Sequence, residues 1–517
     1  MNIKYVVIAA LTCGAMVSGC SQSSPTGVSA RGVTPTQPRN LDRTCDNAAF
    51  PSVEWTTCEA NNYAKTLEGP AEELAPAFVQ RLTEQSLANT QEWTARGLAD
   101  PSWLILPSGN TPLLPLCATW GAPCAGDPFR YADFNGPDGA TFYQDEAQVT
   151  PVVFYDRGCA RLSGRVWLPK NSSGKLPNIV ITNGSVQAPE TVYWWLAQAL
   201  VRSGYAVLTY DPRGQGRSDE QTPTLEQGTN INPKVFWEGQ VDAIDFFRST
   251  PSQPYPQNVT CAGTYPTVTT PNNPIWNRLD PNRLGIAGHS LGAIGVSVVQ
   301  GYGAPGADAW PGKMDVSNPV KVAIALDSLS TPDGGSLAPA TNYPLPTEIT
   351  TTLTQLITMG ALPKFAPRVP SMSFNSDYGF APAPNLVPPN VENHKVAFAL
   401  WQSAGVPTYV IGIRGTTHFD FSLIPTFPAS SWCPDTSSKA CVGGWGRPSI
   451  TYYSLAWFDR WLKKSGEPGY EDADQRLVDD ANAEGAAKLS FRYHSARDYP
   501  DRAGKRQHCE DIRAGCE

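Results

Sequence analysis

The residues of this sequence best suited to do chemistry surround Ser290. They read Gly288-His289-Ser290-Leu291-Gly292, which has the G-x-S-x-G spacing of a nucleophile elbow. A serine on a sharp turn between a strand and a helix sits in strained backbone, so the flanking positions need glycine. Such a turn exposes the serine hydroxyl and points the free amides of the following helix toward the reaction centre. The pattern therefore predicts nucleophilic catalysis by Ser290.

The flanking sequence supplies the strand and the helix that an elbow requires. A short apolar run, Leu284–Ala287, precedes it, and small apolar residues suited to a buried helix follow it. The predicted strands are 150–155, 159–168, 178–182, 205–210, 283–287, 320–326, 371–374 and 408–413, and the predicted helices include 191–203, 233–248, 391–404 and 450–464. Strands that are apolar throughout and alternate with helices indicate an α/β protein with a mostly parallel sheet covered on both faces.

Segments that follow successive predicted strands resemble those of the α/β-hydrolase family. They are Asn183-Gly184-Ser185, the D-x-R-G-x-G-x-S segment at 211–218, the elbow, and Arg414-Gly415-Thr416-Thr417-His418-Phe419. The resemblance covers roughly residues 150–464. It implies an α/β-hydrolase fold, with a mostly parallel central sheet, helices on both faces and a lid-like insertion. The sequence departs from the family at Asn183-Gly184, where many members have His-Gly.

The base is found by elimination among the five histidines of the sequence. A serine at its ordinary pKa needs a base within hydrogen-bond reach. His289 is the variable residue of the elbow and is expected to point elsewhere. His394 falls in a predicted helix, where a solvated surface position is expected. His494 and His508 lie in the C-terminal tail. His418 directly follows a predicted strand and comes after the serine, as the Ser…Asp/Glu…His order requires, so we predict it as the base.

Two aspartates follow strands between the serine and the histidine. Asp327 follows the strand 320–326, and Asp377 follows the strand 371–374. In the α/β-hydrolase fold the acid usually follows the penultimate strand, one helix before the histidine strand, and Asp377 occupies that place. The resemblance therefore favours Asp377 as the residue that orients His418 and stabilises its cation. Asp327 remains the alternative, because some members of the family carry their acid one strand earlier.

Acyl transfer also needs hydrogen-bond donors for the developing oxyanion. The amide of Leu291, next to the nucleophile, is one expected donor. The other is expected in the loop after the third predicted strand, at the amide of Ser185, with Val186 as the neighbouring candidate. The Asn-Gly-Ser sequence of this loop also suits an ordinary turn, which is the structural alternative. Arg213 and Arg217 are expected to brace loops.

The segment 328–370 lies between two core strands, where this fold often inserts a lid. It opens with turn-forming residues and continues with an apolar helical pattern at 347–362. Such a helix over the pocket suits an ester with an acyl or aromatic group. Ordinary packing of the helix on the core is the alternative.

The start of the chain predicts export. Lys4 gives a short positive region, and Tyr5–Met16 gives an apolar region too short to span a bilayer as a stable helix. Val17-Ser18-Gly19-Cys20 looks like a bacterial lipobox, which implies a signal peptide over 1–19 and diacylglycerol on the Cys20 sulfur. An ordinary secretory signal and a soluble secreted protein are the alternative. Residues 20–43, rich in Ser, Thr, Pro and Gly, predict a flexible tether between membrane and domain.

Export makes the cysteines informative, because disulfides persist in oxidising compartments. Of 12 cysteines, Cys13 lies in the signal segment and Cys20 would carry lipid, which leaves ten in the mature fold. Their spacing suggests the pairs Cys45–Cys58, Cys117–Cys124, Cys159–Cys261, Cys433–Cys441 and Cys509–Cys516. Spacing does not determine connectivity, so this pairing is a hypothesis. The sequence has no C-x-x-C pair, which argues against a zinc site.

Charge and composition set the remaining limits. The chain has 517 residues, a formal net charge of −8 and no basic blocks, so nucleic-acid binding has little electrostatic support. We expect an N-terminal helical and loop extension over 44–148, a catalytic domain over 149–465 and a C-terminal extension over 466–517. Within this last part, 466–487 is expected to be a polar linker and Leu489–Tyr493 a short edge strand.

As a whole, the sequence predicts an exported serine hydrolase, anchored by lipid in the cell envelope, that cleaves carboxylic esters. The expected partners are a small-molecule or lipid-like ester and, through the N-terminal anchor, a membrane; no cofactor or metal is implied. Two alternatives stay open. One is a serine exopeptidase, since some enzymes of this fold share the D-x-R-G-x-G-x-S segment. The other is a non-catalytic surface binding protein on a hydrolase scaffold, against which an intact Ser, His and Asp set argues.

Overall fold

The computed structural model describes residues 48–66, 97–104, 142–185, 189–228, 232–333, 362–379, 389–422, 447–479 and 489–516, together with residues 45, 76, 94 and 95. Several predictions lie outside these residues: the signal peptide, Cys20, the tether, Val186, the lid helix at 347–362, and the pairs Cys117–Cys124 and Cys433–Cys441. The boundaries expected for the extensions and the catalytic domain stay predictions.

In the part of the chain that the structure describes, one sheet of ten strands has the order β1-β2-β4-β3-β5-β6-β7-β8-β9-β10. The strands are β1 (Ala147–Tyr155), β2 (Arg161–Pro169), β3 (Leu176–Thr182), β4 (Ala206–Tyr210), β5 (Leu279–His289), β6 (Val320–Leu326), β7 (Ser371–Ser376), β8 (Thr408–Ile413), β9 (Ala496–Pro500) and β10 (Arg506–Cys509). The central strands from β4 to β8 pair in parallel, and antiparallel strands extend both edges. The predicted α/β class with a mostly parallel sheet is confirmed.

Helices cover both faces of the parallel strands. They are α1 (Val53–Thr66), α2 (Trp194–Arg202), α3 (Lys234–Arg248), α4 (Pro256–Thr260), α5 (Leu291–Gly301), α6 (Val396–Ser403), α7 (Arg447–Leu462) and α8 (Ala473–Val478). In β3, Ile179 and Ile181 point to one face and Val180 to the other, and all are buried. Helices α2 and α7 cover the first face, with Trp194 and Trp457 in its core, and α3 and α5 cover the second. Two apolar layers therefore fix the sheet between them.

The C-terminal extension differs from its prediction. Helix α8 lies within the stretch expected to be a linker, and Leu489 forms an isolated bridge with Ile413. The edge strand is instead β9, which pairs antiparallel with β8, and β10 then adds to β9. Arg497 and Asp498 make β9 polar in sequence, so hydrophobic periodicity does not mark it as a strand.

Three of the expected disulfides fall within the described residues, and all three are present: Cys45–Cys58, Cys159–Cys261 and Cys509–Cys516. The bridge with the longest span, Cys159–Cys261, joins residues 102 apart and ties the β1–β2 turn to the end of α4. These bridges indicate an oxidising, exported environment. Within the described ranges, no helix has the length and apolar character that a membrane crossing requires.

Candidate active site

Ser290 lies on a sharp turn between β5 and α5, the context that the sequence predicts for an elbow. Its backbone has φ 58° and ψ −123°, a conformation that residues with a Cβ rarely adopt. A Cβ on Gly288 would lie 2.3 Å from the carbonyl oxygen of Gly292. A Cβ on Gly292 would lie 2.4 Å from the carbonyl oxygen of Asn183. Both glycines are therefore required by the close approach of strand, turn and helix.

His418 lies next to Ser290, in the loop that follows β8. Its Nε2 is 2.8 Å from Ser290 Oγ. A short 3-10 helix, His418–Phe421, holds the residue in place: Thr417 caps this helix, and the Asp420 carboxylate accepts hydrogen bonds from the Thr417 backbone and hydroxyl. The structure therefore brings together the two residues that the sequence predicts as nucleophile and base.

The carboxylate beside His418 belongs to Asp327, which follows β6. His418 Nδ1 donates to Asp327 Oδ2 at 2.5 Å, and the Ser376 N–H donates to Asp327 Oδ1 at 2.8 Å. Burial acts to raise the pKa of Asp327, but the hydrogen bond and charge of His418 outweigh it, so this pKa lies below its ordinary value. Asp327 is therefore ionised at neutral pH and can orient the imidazole.

Asp377, the acid favoured from the sequence, lies elsewhere, and the structure corrects this expectation. Its Oδ2 accepts hydrogen bonds from the Gly415 N–H and from Asn62 Nδ2, both at 2.8 Å. Ser376, the last residue of β7, takes the place beside Asp327, to which its backbone N–H donates. Asp377 thus supports the backbone of the histidine loop and does not contact the imidazole.

Two further side chains contact the site, and the sequence analysis gave neither a role. His289 is buried against His418, with ring centroids 4.6 Å apart. His289 Nε2 lies 2.8 Å from the His418 carbonyl oxygen, and His289 Nδ1 lies 2.7 Å from Tyr193 Oη. Burial, with the nearby charge of His418, lowers the pKa of His289 to about 3. The place of His289 inside the elbow was a usable signal, whereas no pattern in the sequence marks Tyr193.

The loop after β3 packs directly against the elbow. A Cβ on Gly184 would lie 2.9 Å from Ser290 Cβ, so only glycine fits. The Gly184 N–H donates to Tyr193 Oη at 3.0 Å, so this amide is already engaged, and the next amide among the described residues is that of the half-buried Ser185. Leu291 is the first residue of α5, so its amide has no partner within the helix. Of the two amides expected to stabilise an oxyanion, that of Leu291 directly follows Ser290. That of Ser185 directly follows Gly184, which packs against Ser290.

A buried carboxylate braces the same loop. Asp211 accepts hydrogen bonds from Asn183 Nδ2 at 2.8 Å and from the Arg217 N–H at 2.9 Å. Burial raises the pKa of Asp211, although these hydrogen bonds oppose the shift. Arg213 pairs with Asp156 at 3.0 Å in the turn between β1 and β2. The ion pair agrees with the bracing role predicted for Arg213, whereas the hydrogen bond from Arg217 to Asp211 is made by its backbone N–H.

The site therefore contains a hydroxyl, an imidazole and a carboxylate joined by hydrogen bonds, with backbone amides beside the hydroxyl. Such an arrangement can activate a serine by general-base catalysis and stabilise a negatively charged oxygen. Among the described residues, no group of three or more His, Cys, Asp or Glu side chains is placed to hold a metal ion.

Two known proteins that share part of this sequence are hydrolases by name. The chain is 37% identical over 70 residues to hydrolase acrC of Aspergillus aculeatus. This match covers 12% of this chain and 16% of that protein. It is 30% identical over 107 residues to thiohydrolase aneE of the same species. This match covers 21% of this chain and 31% of that protein. These relatives support a general hydrolase function. The chain thus matches less than a third of the length of either relative, and no protein-family model matches it.

Proposed function

We propose that this protein is a serine hydrolase that cleaves carboxylic esters through Ser290, His418 and Asp327. The observation that carries the proposal is the hydrogen-bonded chain from Ser290 Oγ to His418, at 2.8 Å, and from His418 to Asp327, at 2.5 Å. Serine, aspartate and histidine also follow one another along the chain in the order of α/β-hydrolase triads. The distant hydrolase relatives support the same class of reaction.

In the first half of the proposed reaction, Ser290 Oγ attacks the ester carbonyl carbon and His418 Nε2 takes its proton. Asp327 stays ionised and stabilises the imidazolium. The tetrahedral intermediate then collapses, the bond to the alcohol oxygen breaks, and His418 gives its proton to the departing alkoxide. In the second half, water attacks the acyl-enzyme with His418 as base, and the proton returns to Ser290 Oγ as the carboxylic acid leaves.

The negative charge of each tetrahedral intermediate would be stabilised by the amides of Leu291 and Ser185. Each such donor contributes on the order of 3 kcal/mol to the transition state. The N-terminal end of α5 adds the favourable end of its helix dipole at the same place. The low pKa of His289, about 3, keeps a second positive charge away from the imidazolium of His418.

The substrate class is tested by comparing leaving groups. A relative named as a thiohydrolase favours thioesters as a second candidate class, because thioesters undergo the same addition and elimination. The purified protein should be assayed on p-nitrophenyl esters of graded acyl length, acyl thioesters and aminoacyl anilides. If the protein cleaved the anilides preferentially, the serine exopeptidase would replace the esterase as its proposed function.

The nucleophile is tested by Ser290→Ala. This variant should fold normally and lose activity on every substrate, because Oγ is needed for chemistry and not for packing. A fluorophosphonate probe should label the wild type and not the variant. Retention of more than a few per cent of turnover would refute the assignment of Ser290, and an unlabelled, inactive wild type would favour a binding protein on a hydrolase scaffold.

We also propose that a lipid on Cys20 anchors the protein in the cell envelope. The disulfides of the fold support an exported environment, and two or more acyl chains hold a protein stably at a membrane. Cys20→Ser should release the protein from the membrane fraction with its esterase activity intact. A wild type found wholly in the soluble fraction, with a mature N-terminus other than Cys20, would contradict this proposal and favour plain secretion.

A further inference from the structure

A chain of hydrogen bonds crosses the site between the loop after β3 and the loop that carries His418. The Gly184 N–H lies 3.0 Å from Tyr193 Oη, and Tyr193 Oη lies 2.7 Å from His289 Nδ1. His289 Nε2 lies 2.8 Å from the His418 carbonyl oxygen. Tyr193 and His289 are only 1% and 2% exposed, so water does not compete for these bonds.

The protons along this chain have one self-consistent assignment. The His418 carbonyl oxygen can only accept, so His289 Nε2 carries a proton. Burial lowers the pKa of His289 to about 3, so the ring is neutral at pH 7 and its Nδ1 carries none. Nδ1 therefore accepts from the Tyr193 hydroxyl, and this hydroxyl accepts from the Gly184 N–H. Every donor in the chain meets an acceptor.

We propose that Tyr193 and His289 are positioning residues that fix the oxyanion loop, residues 183–185, relative to the backbone of His418. The proposal rests on the serine-hydrolase function proposed above. A rigid connection matters because an oxyanion donor acts within a narrow range, about 2.7–3.1 Å from the oxygen that it stabilises. One buried imidazole thus holds both the donor loop and the base loop of the site.

Gly184 transmits this constraint to the reaction centre. A Cβ on Gly184 would lie 2.9 Å from Ser290 Cβ and 3.0 Å from Tyr193 Oη, so its backbone packs against both residues. Because Tyr193 already binds the Gly184 N–H, we assign the donor role to the adjacent Ser185 amide. Removing the Tyr193 hydroxyl would leave the Gly184 N–H and His289 Nδ1 without this partner, and the loop would shift to find others.

The test uses Tyr193→Phe and His289→Gln in the full-length protein, with p-nitrophenyl esters as substrate. Phenylalanine keeps the ring of residue 193 and removes its hydroxyl, and glutamine removes the acceptor at Nδ1. Rates are expressed per active site titrated with a fluorophosphonate, so misfolded protein, which the probe does not label, does not lower the apparent kcat. Each variant should lower kcat about 10- to 100-fold, below the 10²–10³-fold loss of deleting an oxyanion donor outright. KM should stay within about twofold of wild type, because ground-state contacts are untouched.

The double variant adds a second criterion. Both substitutions break the same chain, so Tyr193→Phe combined with His289→Gln should cost about as much as the larger single change and not the product of the two. Tyr205→Phe is the matched control. It removes an equally buried hydroxyl, which donates to Asp459 at 2.6 Å, at the end of β4 opposite the site. It should lower the melting temperature and leave kcat per titrated site unchanged.

The proposal is overturned if Tyr193→Phe keeps kcat per titrated site within about twofold of wild type, or if Tyr205→Phe loses as much. Additive losses in the double variant would also overturn it. If Tyr193→Phe does not fold, His289→Gln decides by the same criteria. An active Ser290→Ala would be a different result, because it would reject the serine-hydrolase function itself.

Discussion

Replacing Asp327 with asparagine tests the site most sharply, because asparagine keeps the shape of the side chain and removes its charge. Asp327 Oδ1 is held at 2.8 Å by the Ser376 N–H, a group that can only donate. The asparagine carbonyl oxygen would therefore face Ser376, and its NH₂ group would face His418 Nδ1. His418 would then accept at Nδ1 and carry its proton on Nε2. In that tautomer it cannot take the proton of Ser290.

The expected loss follows from this forced tautomer. A histidine held in the wrong tautomer costs about 10⁴ in kcat. At 1.36 kcal/mol per factor of ten, this is about 5.4 kcal/mol of transition-state stabilisation. The Asp327 side chain is only 12% exposed, so water has little access to take over its role. The fold should persist, because the asparagine can keep the hydrogen bond to the Ser376 backbone.

The assay is steady-state hydrolysis of a p-nitrophenyl ester, with the melting temperature as the check on folding. Asp377→Asn is the matched control, since Asp377 is a buried carboxylate at the end of the neighbouring strand that binds Gly415 and Asn62. Its loss should stay below about tenfold, or about 1.4 kcal/mol. If Asp327→Asn kept more than about a hundredth of kcat, or if Asp377→Asn lost more activity, the assignment of Asp327 would be wrong.

Three further changes test other parts of the structure. Gly292→Ala should abolish esterase activity and lower the melting temperature, because its Cβ would lie 2.4 Å from the Asn183 carbonyl oxygen; a fully active variant would contradict the elbow geometry. Replacing Cys159 and Cys261 together with serine should lower the free energy of unfolding by about 2–5 kcal/mol in urea titrations. His394 is buried, which corrects the surface position expected from the sequence, and His394→Phe should make the protein less sensitive to acid. Burial lowers the pKa of His394 from 6.5 to about 4, so between these values the unfolded chain binds more protons and stability falls as pH falls. The substitution should remove up to about 3 kcal/mol of this loss of folding stability, measured from urea midpoints at neutral pH and near pH 4. An unchanged pH dependence of stability would contradict the role given to His394.

The hydrophobic pattern of the sequence determined where the core strands and helices lie along the chain. Strands β3 to β8 lie close to their predicted positions, and most of them contain short apolar runs because both of their faces are buried. The exception is β7, which alternates Met372 and Phe374 with buried polar residues. Ser290 and His418 were also accessible to sequence reasoning. Ser290 is marked by the glycines that its turn requires, and His418 is the histidine that follows a strand after the serine.

The choice between the two aspartates depended on tertiary structure. Both follow strands, and both satisfy the chain order, so no local pattern separates them. In the sheet, Leu326 of β6 pairs with Phe374 of β7, so β7 continues two residues beyond its neighbour before Asp377. Ser376 takes the place beside Asp327.

The hydrogen bond between Tyr193 and His289 was equally beyond the sequence. It joins residues 96 apart, and it exists because the loop after β3 and the elbow after β5 end adjacent parallel strands. Periodicity, caps and turns depend on neighbouring residues and can be read along the chain. Which polar groups meet at the ends of the strands depends on strand order and register, and these are set only when the whole sheet is packed between its helices.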